Sequence, residues 1–313
     1  MKKVIFMGTP SFSVPILQAL IEEETIEVAA VVTQPDRKVG RKQILTPSPV
    51  KQLAMTYDIP VLQPEKLSNS QEMQQILELE PDLLITAAYG QYVPTKLLKA
   101  PTYRAINVHA SLLPKYRGAA PIHYAVLKGD EVTGITIMYM EKVMDAGDII
   151  AQREIPITKE DDTGTLFEKL SLLGRDLLMD TLPDIFAGKN ASIKQDEEKV
   201  SFSPMITKEQ EKIDWKKTAK EINNLIRALR PAPGAYTIME EKRFKIWDAQ
   251  VVHEETSKEP GTIVKLDKEL LYVACGEKTI LSLKEVQPAG KKRMKIDQYL
   301  IGTDLKVDDQ FLE

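Results

Sequence analysis

Cysteine is almost missing: Cys275 is the single one in 313 residues. No intrachain disulfide can form, which fits a reducing compartment. Histidine is scarce as well, with His109, His123 and His253 the three. No His/Cys cluster has zinc-like spacing, so no metal is expected. No window approaches the roughly 18 consecutive apolar residues of a transmembrane helix, and no membrane partner is expected. Met1-Lys2-Lys3 imitates the start of a secretory signal, but the apolar run at residues 4–7 is far too short for its core. A cytoplasmic location is therefore expected. Positive charge is not in excess either. A net charge of -4 excludes a wholly basic nucleic-acid binder, though not a local basic surface.

What is present is ordinary for a globular protein: 43% hydrophobic and 28% charged residues. The length predicts two domains. Residues 3–7 read as a buried parallel strand, residues 11–23 as a helix and residues 27–33 as a second, valine-rich strand. Strand, helix, strand at this pitch is a βαβ unit. A single glycine, Gly8, follows the first strand, so dinucleotide binding is a weak expectation. Further helices are predicted over 50–57, 70–79, 119–128 and 163–186, with strands over 83–87, 105–109, 134–140 and 149–152. Composition turns polar after Ala187. The expected division is a Rossmann-like α/β domain with a mostly parallel sheet over residues 1–188, a linker over 189–208 and a second domain over 209–313. That second domain holds a helix at 216–228 and short strand-like runs at 235–239, 244–252, 262–266, 270–274 and 279–287. Such spacing predicts a small, OB-like β-barrel.

Residues 33–49 form a long polar connection carrying Arg37, Lys38, Arg41 and Lys42 with proline and glycine punctuation. Connections in α/β folds usually take about 2–6 residues, and much longer ones tend to be functional or disordered. A solvated loop and a basic arm reaching phosphates both fit.

The chemistry concentrates at Ile106-Asn107-Val108-His109-Ala110-Ser111-Leu112-Leu113-Pro114. Residues i and i+2 of a strand share a face, so Asn107 and His109 project together while the two aliphatics pack on the other side. A donor beside a proton carrier suits a reaction that builds charge on a carbonyl oxygen. An ordinary strand end with a satisfied core histidine fits the same spacing. A carboxylate near the imidazole would fix its tautomer and stabilise its protonated form. Asp145 and Asp148 compete for that role, and Asp148 is the one expected to hold a turn. Ser111 lacks the surroundings of a nucleophile elbow, so direct attack by a substrate nucleophile is expected.

These residues resemble the folate-dependent formyltransferases. The likeness rests on Asn107 to Pro114, on Tyr116-Arg117-Gly118-Ala119-Ala120-Pro121 and on Met144-Asp145-Ala146-Gly147-Asp148. It extends to Phe6-Met7-Gly8-Thr9-Pro10, Thr33-Gln34-Pro35-Asp36-Arg37, Thr46-Pro47-Ser48-Pro49 and Pro231-Ala232-Pro233-Gly234-Ala235. The resemblance implies formyl transfer from 10-formyltetrahydrofolate to the α-amine of initiator methionyl-tRNA. It implies catalytic roles for Asn107, His109 and Asp145. Loops holding Tyr89, Gly90, Gln91, Ser111, Leu112, Leu113, Pro114, Val143 and Met144 would frame the folate. Arg37, Lys38, Arg41 and Lys42 would face the tRNA, with Phe12 near the methionyl group, and the second domain would bind tRNA. A monomer is expected. A sugar-amine formyltransferase or a formyltetrahydrofolate hydrolase is the nearer alternative, and a non-catalytic RNA-binding module the distant one.

Overall fold

The structure is a computed structural model that describes residues 1–40 and 42–312. In chain order its elements begin with β1 (Lys2–Gly8), α1 (Val14–Glu22), β2 (Ile26–Val32), β3 (Arg37–Val39), β4 (Ile44–Thr46), α2 (Pro49–Thr56), β5 (Val61–Leu62) and α3 (Gln71–Glu78). Next come β6 (Leu83–Ala87), α4 (Thr95–Lys99), β7 (Ala105–His109), α5 (Pro121–Lys128), β8 (Val132–Tyr139), β9 (Ile149–Pro156) and α6 (Thr163–Ala187). The remainder is α7 (Ala219–Ala228), β10 (Ala235–Met239), β11 (Lys242–Val252), β12 (Ile263–Leu266), β13 (Leu271–Ala274), β14 (Ile280–Pro288), β15 (Met294–Lys295) and α8 (Ile296–Leu300). The chain divides into two compact units. Residues 1–121, 132–156 and 167–203 form the first, and residues 122–131, 157–166 and 204–313 the second.

Among the described residues the first unit holds a seven-stranded sheet in the order β5-β2-β1-β6-β7-β8-β9. β5, β2, β1, β6 and β7 run parallel, while β8 and β9 pair antiparallel at one edge. Parallel strands are covered on both faces, and β1 obeys this with five consecutive buried residues, Val4 to Gly8. On one face Ile5, Met7, Leu84 and Ala105 pack with Met73, Ile76 and Leu97. On the other, α6 closes on the sheet so tightly that a Cβ on Gly174 would lie 2.9 Å from Val108. Ile106 and Val108 are buried accordingly. Helix starts follow local signals. Ser48 accepts a hydrogen bond from the Lys51 amide ahead of Pro49, and Ser70 accepts one from the Met73 amide.

Successive strands run outward from β1 in one direction through β2 and β5, and in the other through β6 and β7. The order reverses between β1 and β6, where an open α/β sheet leaves a crevice at its carboxyl ends. Gly8 and Ala87 are partners at that point. The connection at 33–49 contains more structure than its polarity predicts: β3 and β4 pair as an antiparallel hairpin.

In the second unit, described by itself, the antiparallel order is β10-β11-β14-β13-β12, with β15 added on β14. Bridges from Leu312 to Ile238 of β10 and from Gln310 to Thr262 beside β12 close the sheet into a barrel. Trp215 plugs it, 1% exposed, stacked on Phe311 and donating its Nε1–H to Thr237 Oγ1 at 3.0 Å. Helix α7 starts with a full capping box in which Thr218 and Glu221 satisfy each other's amides. Polarity alone marks residues 189–208 as a linker, yet up to Ser203 they are tied into the first unit, through the paired backbones of Ile193 and Ile149 and of Phe202 and Arg117.

Burial lowers the pKa of His123, in the second unit, below its ordinary value of 6.5. Below that pH the unfolded chain takes up a proton that the folded chain refuses, so stability is full above it and declines as pH falls towards the depressed folded value. Thermal midpoints measured from pH 7.5 to 5 are expected to fall more steeply for the natural protein than for His123→Gln.

Candidate active site

β7 delivers Asn107 and His109 on one face, opposite Met138 and Thr136 of β8. Thr86, beside Asn107 on β6, donates its hydroxyl to Asn107 Oδ1 at 2.8 Å. The oxygen of the amide is thereby occupied, which leaves the Nδ2–H donors of Asn107 as its free end. Asn107 is half-buried and His109 is 6% exposed.

The imidazole is held from the Nε2 side. Nε2 lies 3.0 Å from the carbonyl oxygen of Tyr116, and a carbonyl only accepts, so the proton sits on Nε2. Nδ1 is the nitrogen left to gain or lose a proton. It faces Asp145 Oδ2 at 3.8 Å, beyond hydrogen-bond reach, where the carboxylate acts as a charge. Asp145 occupies the left-handed region at φ 53 and accepts the Gly118 amide at 2.8 Å. Gly118 itself has φ 125, and a Cβ there would meet the Ser203 carbonyl oxygen at 2.8 Å. The competing Asp148 takes a 3.4 Å hydrogen bond from Ser192 instead. Asp145 is therefore the carboxylate that stands at the imidazole.

The loop after β7 is fixed by side chains from elsewhere. Thr136, fully buried, donates to Ser111 O at 2.6 Å and accepts from the Leu113 amide at 3.1 Å. Gln152 adds a bond to Leu113 O at 2.9 Å. Ser111 is 1% exposed and donates to Lys115 O at 2.6 Å, so its hydroxyl belongs to its own loop. Leu113 is buried, while Leu112 and Pro114 are half-buried. Sequence reasoning missed Thr136, Gln152, Gln195 and Ser203. Each is a polar residue in an unexceptional setting, and only buried polar atoms on the folded chain reveal them.

Tyr89, Gly90 and Gln91 follow β6 at the crevice. Tyr89 is a core residue, 4% exposed, and burial pushes its phenol well above the usual range. Its carbonyl accepts from Thr9 Oγ1 at 2.9 Å and from Gln34 Nε2 at 3.3 Å. Gln91 spends its amide on Pro64 O and the Leu67 amide. Gly90 is exposed at φ 86. Val143 and Met144, 64% and 65% exposed, form an apolar lip next to Asp145. Phe12 is 2% exposed and packs edge-on against Phe167 at 5.5 Å, which puts its ring in the interior.

Arg37, Lys38 and Lys42 are exposed on or beside the β3–β4 hairpin, and Arg41 lies outside the described residues. Arg37 donates to Gln34 Oε1 at 3.1 Å. Asp36 does not neutralise them. It pairs with Lys51 at 2.8 Å, and the Gln63 amide and Lys51 hold its carboxyl below the usual carboxylate range. The same hairpin exposes Val39, Ile44 and Leu45.

A free amide donor, an imidazole with one nitrogen uncommitted, and a carboxylate meet at the strand ends of an open sheet, with no activated hydroxyl or thiol among them. Such a set suits group transfer at a carbonyl in which the acceptor itself supplies the nucleophile. Residues 1–182 match the formyl transferase family, and residues 205–304 match the formyl transferase C-terminal domain. The chain belongs to the formyl transferase family. It is 54% identical to the methionyl-tRNA formyltransferase of Enterococcus faecalis over 99% of both chains. It is 57% identical to that of Listeria innocua over 96% of both. Among solved structures, an N-formyltransferase from Helicobacter canadensis, complexed with folinic acid and dTDP-3-aminofucose, is similar at a TM-score of 0.70 and 20% identity, covering 92% of this chain and 100% of that one. A sugar 3N-formyl transferase has a TM-score of 0.69 at 20% identity, covering 93% and 99%. At that identity the likeness speaks for the fold.

The Tyr116 carbonyl makes the tautomer of His109 measurable. Nitrogen-15 NMR at a pH where the ring is neutral is expected to show the proton on Nε2, and a ring protonated on Nδ1 would contradict this geometry.

Proposed function

We propose that the protein transfers the formyl group of 10-formyltetrahydrofolate to the α-amine of initiator methionyl-tRNA, giving N-formylmethionyl-tRNA. The observation that carries the chemistry is Asn107 and His109 side by side on β7 with Asp145 facing Nδ1. The acceptor is supported by relatives of that name at 54–57% identity along nearly the whole chain. In the reaction the amine nitrogen bonds to the formyl carbon, the carbon–N10 bond breaks, the amine loses a proton and N10 gains one.

Each protein group has a separate task. The Nδ2–H of Asn107 donates to the oxygen on which charge develops. His109 Nδ1 takes up and returns the proton, because Nε2 is committed to Tyr116. Asp145 favours the imidazolium while the proton is there, without direct hydrogen bonding. The loops at Tyr89 to Gln91, Ser111 to Pro114, and Val143 with Met144 frame the folate, the exposed apolar pair offering a surface for a flat ring. The basic residues Arg37, Lys38, Arg41 and Lys42 face tRNA phosphates, and the barrel of residues 209–313 supplies a further tRNA surface. The protein acts as a monomer in the cytoplasm.

The test is formyl transfer to charged initiator tRNA. Asn107→Ala and His109→Ala are each expected to lower kcat by roughly 100-fold or more, with much smaller changes in substrate affinity, because these contacts strengthen in the transition state. Asp145→Asn should be comparably harmful and Asp148→Asn mild. The opposite ranking of the two carboxylates, or formyl release to water at an unchanged rate without acceptor, would contradict this reading.

A second measurement addresses the basic segment. Arg41→Lys keeps the charge but loses bidentate phosphate pairing, and a loss of roughly 1.5–3 kcal/mol in methionyl-tRNA binding is expected. Folate affinity should stay constant across the same salt series. Unchanged tRNA kinetics would make the segment a solvated connection only.

A further inference from the structure

Residues 193–203 run past the loop that follows His109 and the loop that carries Asp145. Gln195, 8% exposed, donates through Nε2 to Asp145 O at 2.7 Å and to Gly147 O at 2.8 Å. Its Oε1 accepts the Arg117 Nε–H at 3.0 Å. Both carbonyls can only accept and the guanidinium can only donate, so this amide has one workable orientation and all its donors are used. Arg117, 5% exposed, is held in turn by Glu197 across a 2.9 Å contact. Farther along, Ser203 donates to Tyr116 O at 3.0 Å, the same oxygen that receives His109 Nε2. The Ser201 carbonyl accepts the Arg117 amide, and the Ser203 carbonyl accepts the Ala120 amide.

We infer that this strap positions the His109–Asp145 pair, with Gln195 as its key positioning residue, so that transfer depends on an amide that touches no substrate. The inference rests on the proposed formyl transfer. Asp145 sits at φ 53, a backbone state that a non-glycine residue keeps only when its surroundings impose it. Two contacts impose it: the Gly118 amide on the carboxylate and the Gln195 amide on the backbone carbonyl. Without Gln195, one buried and one partly buried carbonyl lose this partner and the turn is free to relax. The carboxylate then moves relative to Nδ1, and a shift of about 1 Å in a catalytic group is enough to cost about 100-fold in rate. Arg117 links the two loops, because its backbone lies beside Tyr116 while its side chain orients Gln195. One element thereby sets both the tautomer of His109 and the location of Asp145.

The experiment measures formyl transfer to methionyl-tRNA for Gln195→Glu and Gln195→Met, with thermal midpoint and formyl-donor affinity followed in parallel. Glu keeps the shape but sets oxygens against the two carbonyls, and Met keeps the volume but donates nothing. Both are expected to lower kcat by about 10- to 100-fold with KM for the donor changed by no more than about threefold. Each is then combined with Asp145→Asn. A residue that acts through Asp145 has little left to lose, so the double variants should fall within about threefold of Asp145→Asn alone. Additive losses, or full activity in folded single variants, would overturn the inference. If either substitution abolishes the thermal transition, Ser203→Ala carries the same test against His109→Ala, since it removes a hydrogen bond and little volume. Wild type and Asp145→Asn in the same assay separate the two levels. A wild type that transfers nothing to methionyl-tRNA refutes the proposed function and the strap with it, whereas an active wild type matched by the Gln195 variants refutes the strap alone.

Discussion

Irregular backbone buried at the ends of strands must find hydrogen-bond partners, and in this protein that requirement shapes the site. The loops after β7 and β8 cannot use ladder pairing, yet several of their carbonyls and amides are wholly or partly shielded from water. A buried unpaired group costs about 1–3 kcal/mol. Side chains meet the need: Thr136 and Gln152 for Ser111 and Leu113, Ser203 for Tyr116, and Gln195 for Asp145 and Gly147. The atoms that satisfy the backbone are thus the atoms that fix the loop following His109 and the loop carrying Asp145. Rigidity of the site and solvation of its backbone have the same source.

This has an electrostatic consequence. The fixed Tyr116 carbonyl takes the Nε2 proton and leaves Nδ1 toward the carboxylate. The fixed Thr86 hydroxyl takes Asn107 Oδ1 and leaves the amide donors. Both ends are therefore aimed without a substrate, so the proposed transfer would need little reorganisation as charge develops. The 3.8 Å gap between Nδ1 and Asp145 fits a carboxylate that supports the imidazolium through its field.

The basic hairpin follows a different design. Its described cations, Arg37, Lys38 and Lys42, are exposed, and Asp36, the neighbouring carboxylate, is occupied by Lys51 and Gln63. Charges left in this way are available to a polyanion, and their attraction weakens with salt. Exposed Val39, Ile44 and Leu45 on the same hairpin lack the burial that anchors the sheet. The candidate catalytic groups are pre-aimed, whereas the described residues of the basic hairpin lie at the surface.

Local sequence determined much of this protein. The runs at 83–87, 105–109 and 235–239 coincide with β6, β7 and β10, because side-chain periodicity and flanking turn residues act over a few positions. The strand period put Asn107 and His109 on one face, and Ser70 marked the start of α3. The short elements β3, β4, β5, α4, β15 and α8 escaped, since two to five residues carry too little periodicity. Barrel closure by Gln310 and Leu312 escaped for another reason, being a pairing of distant segments. Tertiary structure alone decided which carboxylate faces His109, which nitrogen is free, and what anchors the loops. The partners that settle those points, Gly118 with Asp145, Gln195 with Asp145 and Ser203 with Tyr116, are 27, 50 and 87 positions apart. Hydrophobic patterning records which face of an element is buried. It carries no record of which distant polar atom completes a given carbonyl, because that is set only once the strands have brought the loops together.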